Sequence, residues 1–290
     1  MSLALTIGCL MCHINRSVEK AQAMGDDDQA LQFARELVKL IASAPDEAGI
    51  PWFGPPTNEL YQRIYGVEED RFRQEKQDSN RFVLERMDQI RARVCAAADP
   101  VKAGLQFAIL GNYIDFSALR GQVSFAYLDS LMESALEMEL DGAACESLFA
   151  DLAAGKRLLY LTDNAGEIGF DRIFAEQIAK AYPHLQITFC VRGGPTANDA
   201  TREDAEAMGI PFPVIDNGNN IAGTELTRLS KEAEEAFQSA DVIISKGLGN
   251  VETLYGCGYN VYYAFLVKCA RFQELFQKPL MTPMLVKERK

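Results

Sequence analysis

Acidic and amide side chains follow two apolar segments that are each typical of a β-strand. Asp163 and Asn164 come directly after RLLYLT (157–162), and Asp199 follows QITFCV (186–191). The two aspartates are 36 positions apart, about the length of one βαβ unit, so we expect their carboxylates to lie close together at adjacent strand ends. Two carboxylates and an amide oxygen form an oxygen-only set that suits Mg²⁺, Mn²⁺ or a similar divalent metal ion.

Other strand ends carry groups that could bind a phosphate. Lys246 follows DVIIS (241–245), and its ammonium could neutralise a phosphate while the N–H groups of Gly247 and Gly249 donate to it. Together with a divalent metal, these groups predict a phosphoryl-transfer site. Further residues that could line the substrate pocket are Tyr113, Phe116, Arg192 and Asn250.

The same residues also allow purely structural interpretations. Asn164 followed by Glu167 three positions later is typical of a helix N-cap with its capping-box partner. Asp199 could cap a helix that begins at Ala200, and Lys246 could be an ordinary surface lysine. The prediction of a site therefore depends on all these groups meeting at one edge of a sheet.

The segments that position these residues alternate between apolar β-rich runs and helical stretches. The predicted strands are 157–162, 186–191, 213–216, 241–245 and 261–267, and the predicted helices between them include 167–181 and 225–238. Such alternation predicts a parallel sheet covered on both faces, and ligands bind beyond the carboxyl ends of its strands. The fold class is therefore α/β, a Rossmann-like three-layer α/β/α domain.

The chain before this domain has helical periodicity. Apolar residues fall on one face at Leu31, Ala34, Leu37, Leu40 and Ile41, and again at Val83, Met87, Ile90 and Val94. We predict a helical domain over 1–150 and a Rossmann-like domain carrying the metal site over 151–290. The charge-rich stretch from Glu68 to Arg93 is interpreted as a solvated helix face.

Composition excludes several functions. With 29 Lys and Arg against 41 Asp and Glu, the net charge of −12 argues against binding to nucleic acid or to anionic membranes. His13 and His184 are the two histidines, so a site with three His ligands is excluded. Seven scattered cysteines indicate reduced thiols, and no apolar run is long enough to span a bilayer, so we predict a cytoplasmic protein of unknown oligomeric state.

Four ordered motifs resemble the damage-control phosphatase family, formerly domain of unknown function 89. They are GNYIDF (111–116), LYLTDNAGEIGFDRIFAEQI (159–178), GGPTANDAT (193–201) and ISKGLGNVETL (244–254), and the pair Lys268-Cys269 also matches. The resemblance covers residues 9 to about 270 and implies a helical domain packed on a Rossmann-like domain. It implies a metal-dependent phosphatase acting on phosphorylated small metabolites, such as sugar phosphates or damaged cofactor precursors.

The resemblance also implies a role for individual residues. The family's metal is held at the positions of Asp163, Asn164 and Asp199, and its phosphate pocket is lined at those of Glu167 and Lys246. Asn112 and Asp115 would come from the helical domain and close the cleft over the site. The pair Cys9 and Cys12, beside His13, is similar to one near the start of prokaryotic members; packed thiols, a partial zinc site and a redox pair all stay open.

Two alternatives remain. An S-adenosylmethionine-dependent carboxyl methyltransferase has been proposed within the family, although the GxGxxG turn expected after the first strand is absent. The chain could also be a non-catalytic protein that binds a metal or a phospho-metabolite without turnover. A haloacid-dehalogenase phosphatase is disfavoured, because it needs Asp-x-Asp where this sequence has Asp163-Asn164-Ala165.

Overall fold

Helices form the part of the chain before the first strand. The computed structural model describes residues 3–68, 70–116 and 123–288, and within these ranges eight α-helices precede the sheet. They are α1 (Ile7–Met24), α2 (Asp27–Ala42), α3 (Gly54–Tyr65), α4 (Arg73–Leu84), α5 (Met87–Ala96), α6 (Pro100–Gly111), α7 (Phe125–Glu133) and α8 (Gly142–Ala154). The Asp26 and Asp99 side chains accept N–H groups at the starts of α2 and α6, which satisfies donors that a helix leaves unpaired.

The predicted apolar faces of these helices are correct in part. Leu37 is buried on α2, but Leu31 is 50% exposed, because the buried face runs through Phe33, whose ring stacks on Tyr61 at 4.5 Å. The second predicted face is buried, but it is divided between α4 and α5 rather than lying on one helix. The charge-rich stretch is not wholly solvated either, since Lys76 is buried against Asp204 at 2.8 Å.

A six-stranded sheet follows, with strand order β3-β2-β1-β4-β5-β6. Its elements are β1 (Arg157–Leu161), α9 (Glu167–Ala181), β2 (Gln186–Val191), α10 (Arg202–Ala207), β3 (Val214–Asp216), α11 (Lys231–Ser239), β4 (Val242–Lys246), α12 (Gly247–Leu254), β5 (Val261–Leu266), α13 (Ala270–Phe276) and β6 (Pro283–Lys287). The first five strands are parallel, which confirms the Rossmann-like fold class. The antiparallel edge strand β6 was not predicted.

Two predicted helix starts differ from those observed. The helix expected over 225–238 is replaced by a short 3-10 turn and α11, because Ser230 is extended and its side chain caps α11. Thr201, not Asp199, is the N-cap of α10 and forms a capping box with Asp204. Asp199 is thereby left to the loop that follows β2.

The main hydrophobic core crosses the predicted domain boundary at residue 150. It extends from Phe82 on α4 to Leu285 on β6 and includes the buried residues of α6 and α9. Gly111, the last residue of α6, lies so close to Phe170 of α9 that a Cβ would come within 2.7 Å of the ring. A separate small core joins α1, α2 and α3. No helix of the described ranges is long and apolar enough to cross a membrane.

Candidate active site at the carboxyl edge of the sheet

The predicted site residues of the sheet lie at the carboxyl ends of β1, β2 and β4. The chain leads into α9 after β1 and into α12 after β4, and these two strands are neighbours at the centre of the sheet. Buried residues of α9 belong to the core on one face of the sheet, and those of α12 belong to the core on the other. The chain therefore leaves the two strands toward opposite faces, which opens the crevice where parallel sheets bind ligands.

The loops after β1 and β2 are joined by hydrogen bonds that bring Asp163 and Asp199 together. Asn164 and Asp199 form an isolated antiparallel bridge, and the Ala200 N–H donates to the Asp163 carbonyl at 2.7 Å. The Asn198 amide donates to Asn164 Oδ1 at 2.9 Å. The predicted ligand set thus lies on one rigid pair of loops.

Arg192, at the end of β2, links the two carboxylates. Its Nε donates to Asp199 Oδ2 at 2.7 Å, and its Nη2 is 3.8 Å from Asp163 Oδ1. Although the side chain is 1% exposed, Nη2 is without a hydrogen-bond partner among the described residues. We expected Arg192 to line the substrate pocket, but it lies outside the cavity lining and is hydrogen-bonded to Asp199.

Gly247 is required by the geometry of Asp163. Its φ is +75°, a conformation that side chains disfavour, and a Cβ at this position would overlap the Asp163 carboxylate. The backbone at the N-terminus of α12 therefore lies against the Asp163 carboxylate, with no room for a side chain between them. Residues 247–249 carry the N–H groups that a helix leaves unpaired in its first turn.

Asn112 connects the helical part of the chain to the loop after β1. It is the C-cap of α6, and its Nδ2 lies 3.0 Å from Asp163 Oδ2 and from both Glu167 oxygens. Glu167 also accepts from the Asn164 side chain at 2.7 Å. Asn164 is not the N-cap of α9, because the helix begins after Gly166, whose φ is +76°.

Lys246 is fully buried, so its interpretation as a surface lysine is wrong. Its ammonium donates to Glu167 at 2.6 Å, to Asp171 at 2.8 Å and to the Ala108 carbonyl at 2.7 Å. These three contacts use all three N–H donors of an ammonium, so in this arrangement Lys246 holds Glu167 rather than reaching a phosphate. Burial opposes the charge, but the two carboxylates raise the pKa of Lys246 above its ordinary value.

Asn250 and Asp115 have different roles. Asn250 is buried, and its amide donates to the carbonyls of Thr162 and Lys246 while its oxygen accepts from Thr224 at 2.8 Å, so it braces the ends of β1 and β4. Asp115 lies at the cavity surface and pairs with Lys268 at 2.8 Å.

A cavity of about 1220 Å³ lies over this edge of the sheet. The predicted residues that line it are Asp115, Phe116, Asp163, Asn164, Asp199 and Gly249. The other predicted residues lie outside its lining and are Asn112, Tyr113, Glu167, Arg192, Lys246, Gly247 and Asn250. The predicted residues are thus divided between the cavity lining and positions outside it.

The aspartates are destabilised in their charged form. Burial raises the pKa of Asp163 well above its usual range, and Asp199 and Glu167 raise it further, while Lys268 opposes the rise. Burial raises the pKa of Asp199 to about 6, although Arg192 favours the charged form. The chain thus holds more carboxylate charge here than its own cations offset.

A charge balance shows the size of this excess. Five carboxylates are buried around the site within the described residues, namely Asp115, Asp163, Glu167, Asp171 and Asp199. Three cations of the described residues are buried with them, namely Arg192, Lys246 and Lys268. With every one of these described groups ionised, they carry an excess of two negative charges. A divalent cation would neutralise that excess, and oxygen donors suit Mg²⁺ or Mn²⁺.

No group of three or more His, Cys, Asp or Glu side chains in the described ranges has the arrangement of a metal site. The predicted set therefore reaches three ligands only through the Asn164 amide. Cys9 and Cys12 lie on α1 and line the cavity, while His13 bonds to Thr57 at 3.0 Å.

Sequence reasoning missed several residues of the site. Asp171 lies one turn after Glu167 on α9 and shares Lys246 with it, a spacing that could have identified the pair. Asn80 on α4 accepts the Gly166 N–H at 2.7 Å, and no local pattern indicates this long-range contact. Lys20 and Arg71, on the helical wall of the cavity, are likewise far apart in sequence.

The fold and the site together define a class of protein. It is an α/β protein with a Rossmann-like sheet whose strand order reverses between β1 and β4. At that point it presents carboxylates and an amide, where a nucleotide-binding protein would have a glycine-rich loop. The model of the damage-control phosphatase ARMT1-like domain matches residues 6–282, so the chain belongs to this family.

Relatives match over most of their length. Uncharacterized protein MJ0202 of Methanocaldococcus jannaschii is 31% identical over 273 residues, covering 90% of this chain and 88% of that protein. Damage-control phosphatase PH1575 of Pyrococcus horikoshii is 31% identical over 267 residues, covering 90% of each. A damage-control phosphatase of Archaeoglobus fulgidus is 28% identical over 252 residues, covering 85% of each.

A solved structure is also similar. The crystal structure of PH1575, described as a DUF89 family protein, superimposes with a TM-score of 0.84 at 28% identity, covering 99% of this chain and 100% of that one.

Proposed function

We propose that this protein is a metal-dependent phosphatase that hydrolyses phosphorylated small metabolites, such as sugar phosphates or damaged phosphometabolites. The observation that carries the proposal is that Asp163, Asn164 and Asp199 meet on one wall of a large cavity with an excess of buried negative charge. The names of the relatives from Pyrococcus and Archaeoglobus support a phosphatase.

Asp163, Asn164 and Asp199 would hold the divalent metal, Mg²⁺, Mn²⁺, Co²⁺ or Ni²⁺. When bound, such an ion supplies positive charge to the phosphate oxygens and lowers the pKa of a coordinated water. Arg192 holds Asp199 by a hydrogen bond and lies 3.8 Å from Asp163, and Gly247 leaves room for the Asp163 carboxylate.

The remaining residues act on the substrate or on the ligands. Gly249 and the first turn of α12 offer N–H donors to the phosphate from the cavity wall. Lys268 lies close enough to lower the pKa of Asp163, and it pairs with Asp115, which lines the cavity. Lys246 and Asn112 donate to Glu167 and hold it where it accepts from the amide of Asn164.

The test is phosphate release from a panel of sugar phosphates and an aryl phosphate, with a chelator or with each of the four metals. We expect release to require metal and to fall by at least ~10³-fold in Asp163→Ala, which loses both a ligand and its charge. Asp216→Ala is the matched control, because Asp216 also ends a strand of this edge but pairs with Arg202 outside the cavity.

Full release in the presence of chelator, or in Asp163→Ala, would refute the proposal. Metal-dependent binding of the phosphates without release would favour the non-catalytic binding protein instead, and methyl transfer from S-adenosylmethionine without metal would favour the methyltransferase.

A further inference from the structure

The helical wall of the cavity carries more cations than carboxylates, namely Arg16, Lys20 and Arg71 beside Glu19 and Glu75. Lys20 on α1 and Arg71, just before α4, both line the cavity. The Lys20 ammonium lies 5.6 Å from the ring centroid of Tyr61 and 5.3 Å from that of Phe72. The Arg71 guanidinium lies 4.6 Å and 5.9 Å from the same two rings. Two cations therefore share one pair of aromatic rings.

Lys20 and Arg71 have too little negative charge around them to balance their own. Burial lowers the pKa of Lys20 to about 8, and repulsion from Arg71 adds to the effect. Glu75 favours the charged form of Lys20, but within the described part of the chain no ion pair joins a carboxylate to either cation. Arg16, on the same face of α1, adds positive potential.

Arg71 also has an unused donor. Its Nη1 is buried and has no hydrogen-bond partner among the described residues. The aromatic faces stabilise a cation only by about 0.5–2 kcal/mol and accept no N–H bond in the plane of the guanidinium. Arg71 therefore lines the cavity with a charge that has no carboxylate partner among the described residues, and such a charge favours an anionic ligand.

Both walls belong to one cavity. Its volume of about 1220 Å³ exceeds the roughly 300–1,000 Å³ of ordinary small-molecule sites. A phosphate bound to a metal ion held by Asp163 and Asp199 would leave the region between Lys20 and Arg71 for another part of the same molecule.

We propose that Lys20 and Arg71, with Tyr61 and Phe72, form a distal anion subsite that selects substrates carrying a second phosphate or a carboxylate at the end remote from the hydrolysed phosphate. The assignment of this second group to a substrate rests on the proposed phosphatase function. The rings of Tyr61 and Phe72 fix the two cations, and the acidic sheet edge repels a misplaced distal anion, so the two walls together set the orientation of the substrate.

The test measures binding by calorimetry in the presence of Mn²⁺, so that it needs no turnover. The probes are an alkyl monophosphonate, α,ω-alkane bisphosphonates and ω-phosphonocarboxylates of increasing chain length. At one chain length we expect wild type to bind a doubly anionic probe at least about tenfold more tightly than the monophosphonate. The two doubly anionic probes then distinguish a distal phosphate from a distal carboxylate.

Arg71→Met and Lys20→Met each keep an unbranched stem and remove one charge. We expect each to reduce the preference for the doubly anionic probe about tenfold, and the two variants guard against a folding failure of either. Arg73→Met is the matched control, because Arg73 is 57% exposed, pairs with Asp70 at 3.9 Å and lies outside the cavity.

The proposal is wrong if no chain length gives wild type a preference, if the variants weaken both kinds of probe equally, or if Arg73→Met reduces the preference as much as Arg71→Met. Failure of the phosphatase proposal looks different: no phosphate is released with any metal while the binding preference persists. Loss of the preference with intact phosphate release would refute the distal subsite alone.

Discussion

The two walls of the cavity differ in how their charges are held. At the sheet edge nearly every charged group has a partner of opposite sign, as Asp199 has Arg192 and Glu167 has Lys246. On the helical wall Lys20 and Arg71 are held by aromatic rings instead. We call the sheet edge with Asp163 and Asp199 the acidic wall, and the helical wall with Lys20 and Arg71 the basic wall. On the acidic wall the protein's own cations and a metal ion would neutralise the carboxylates, whereas on the basic wall a ligand would have to supply the negative charge.

The difference follows from where the residues come from in the chain. The acidic wall is built by loops of a parallel sheet inside the main core, where an unpaired charge is costly. The basic wall is built by helices with a small separate core, partly open to solvent, where two like charges can be tolerated. Removal of a cation should therefore destabilise the fold on the acidic wall but not on the basic wall.

Apart from loss of a metal ligand itself, the largest effect is expected at Gly247, on the acidic wall. Gly247→Ala should lower phosphate release by about 100-fold or more, because its Cβ would displace the Asp163 carboxylate. Gly256→Ala is the control, because Gly256 has a similar φ of +82° with no atom within 4 Å of the added Cβ. It should cost only the conformational strain, about 1–2 kcal/mol of unfolding free energy. Equal activity of the two variants would show that the approach of α12 to Asp163 is unimportant.

The next largest effect is expected on stability, at Lys246, the buried cation of the acidic wall. Lys246→Met should reduce the unfolding free energy by about 3–5 kcal/mol, because it leaves Glu167 and Asp171 buried without their partner. Lys287→Met, which breaks the half-exposed pair with Asp151, should cost at most about 1 kcal/mol. Urea denaturation of both variants checks the difference. Similar losses would mean that the buried network contributes no more than a surface pair.

The sequence predicted most strands of the sheet but not how the buried lysine of the site is oriented. Strands β1, β2, β4 and β5 and helix α9 were predictable, because a buried parallel strand is continuously apolar and Gly and Asp follow it. Proximity of Asp163 to Asp199 followed from the βαβ spacing. The inward direction of Lys246 did not, because its partners Asp171 and Ala108 are brought to it by packing of α6 and α9.

On the basic wall, removal of a cation should not lower the unfolding free energy. Lys20→Met should leave the unfolding free energy unchanged within about 0.5 kcal/mol or raise it, because it removes repulsion from Arg71. The measurement is urea denaturation beside Lys246→Met. A loss of several kcal/mol in Lys20→Met would break the comparison, since it would make the basic wall as integral to the fold as the acidic one.

The smallest effect is a pH dependence that involves Lys20, which faces Arg16, Arg71 and Glu75. Its pKa of about 8 in the folded protein means that the cation is lost as pH rises through about 8. The preference for the ω-phosphonocarboxylate over the monophosphonate should therefore fall between about pH 7 and 9, since the carboxylate itself does not titrate there. In Lys20→Met the preference should be lower and flat across this range.

Stability should change in the opposite direction. Between the folded pKa of about 8 and the ordinary value of 10.5, the unfolded chain binds more protons at Lys20 than the folded protein does. The contribution of Lys20 to the unfolding free energy therefore rises with pH in that window, while affinity for the distal anion falls. Denaturation and calorimetry on wild type and Lys20→Met over the same pH range test both signs. A wild-type preference that stays constant from about pH 7 to 9 would remove Lys20 from the subsite and leave Arg71, whose guanidinium does not titrate there, as its cation.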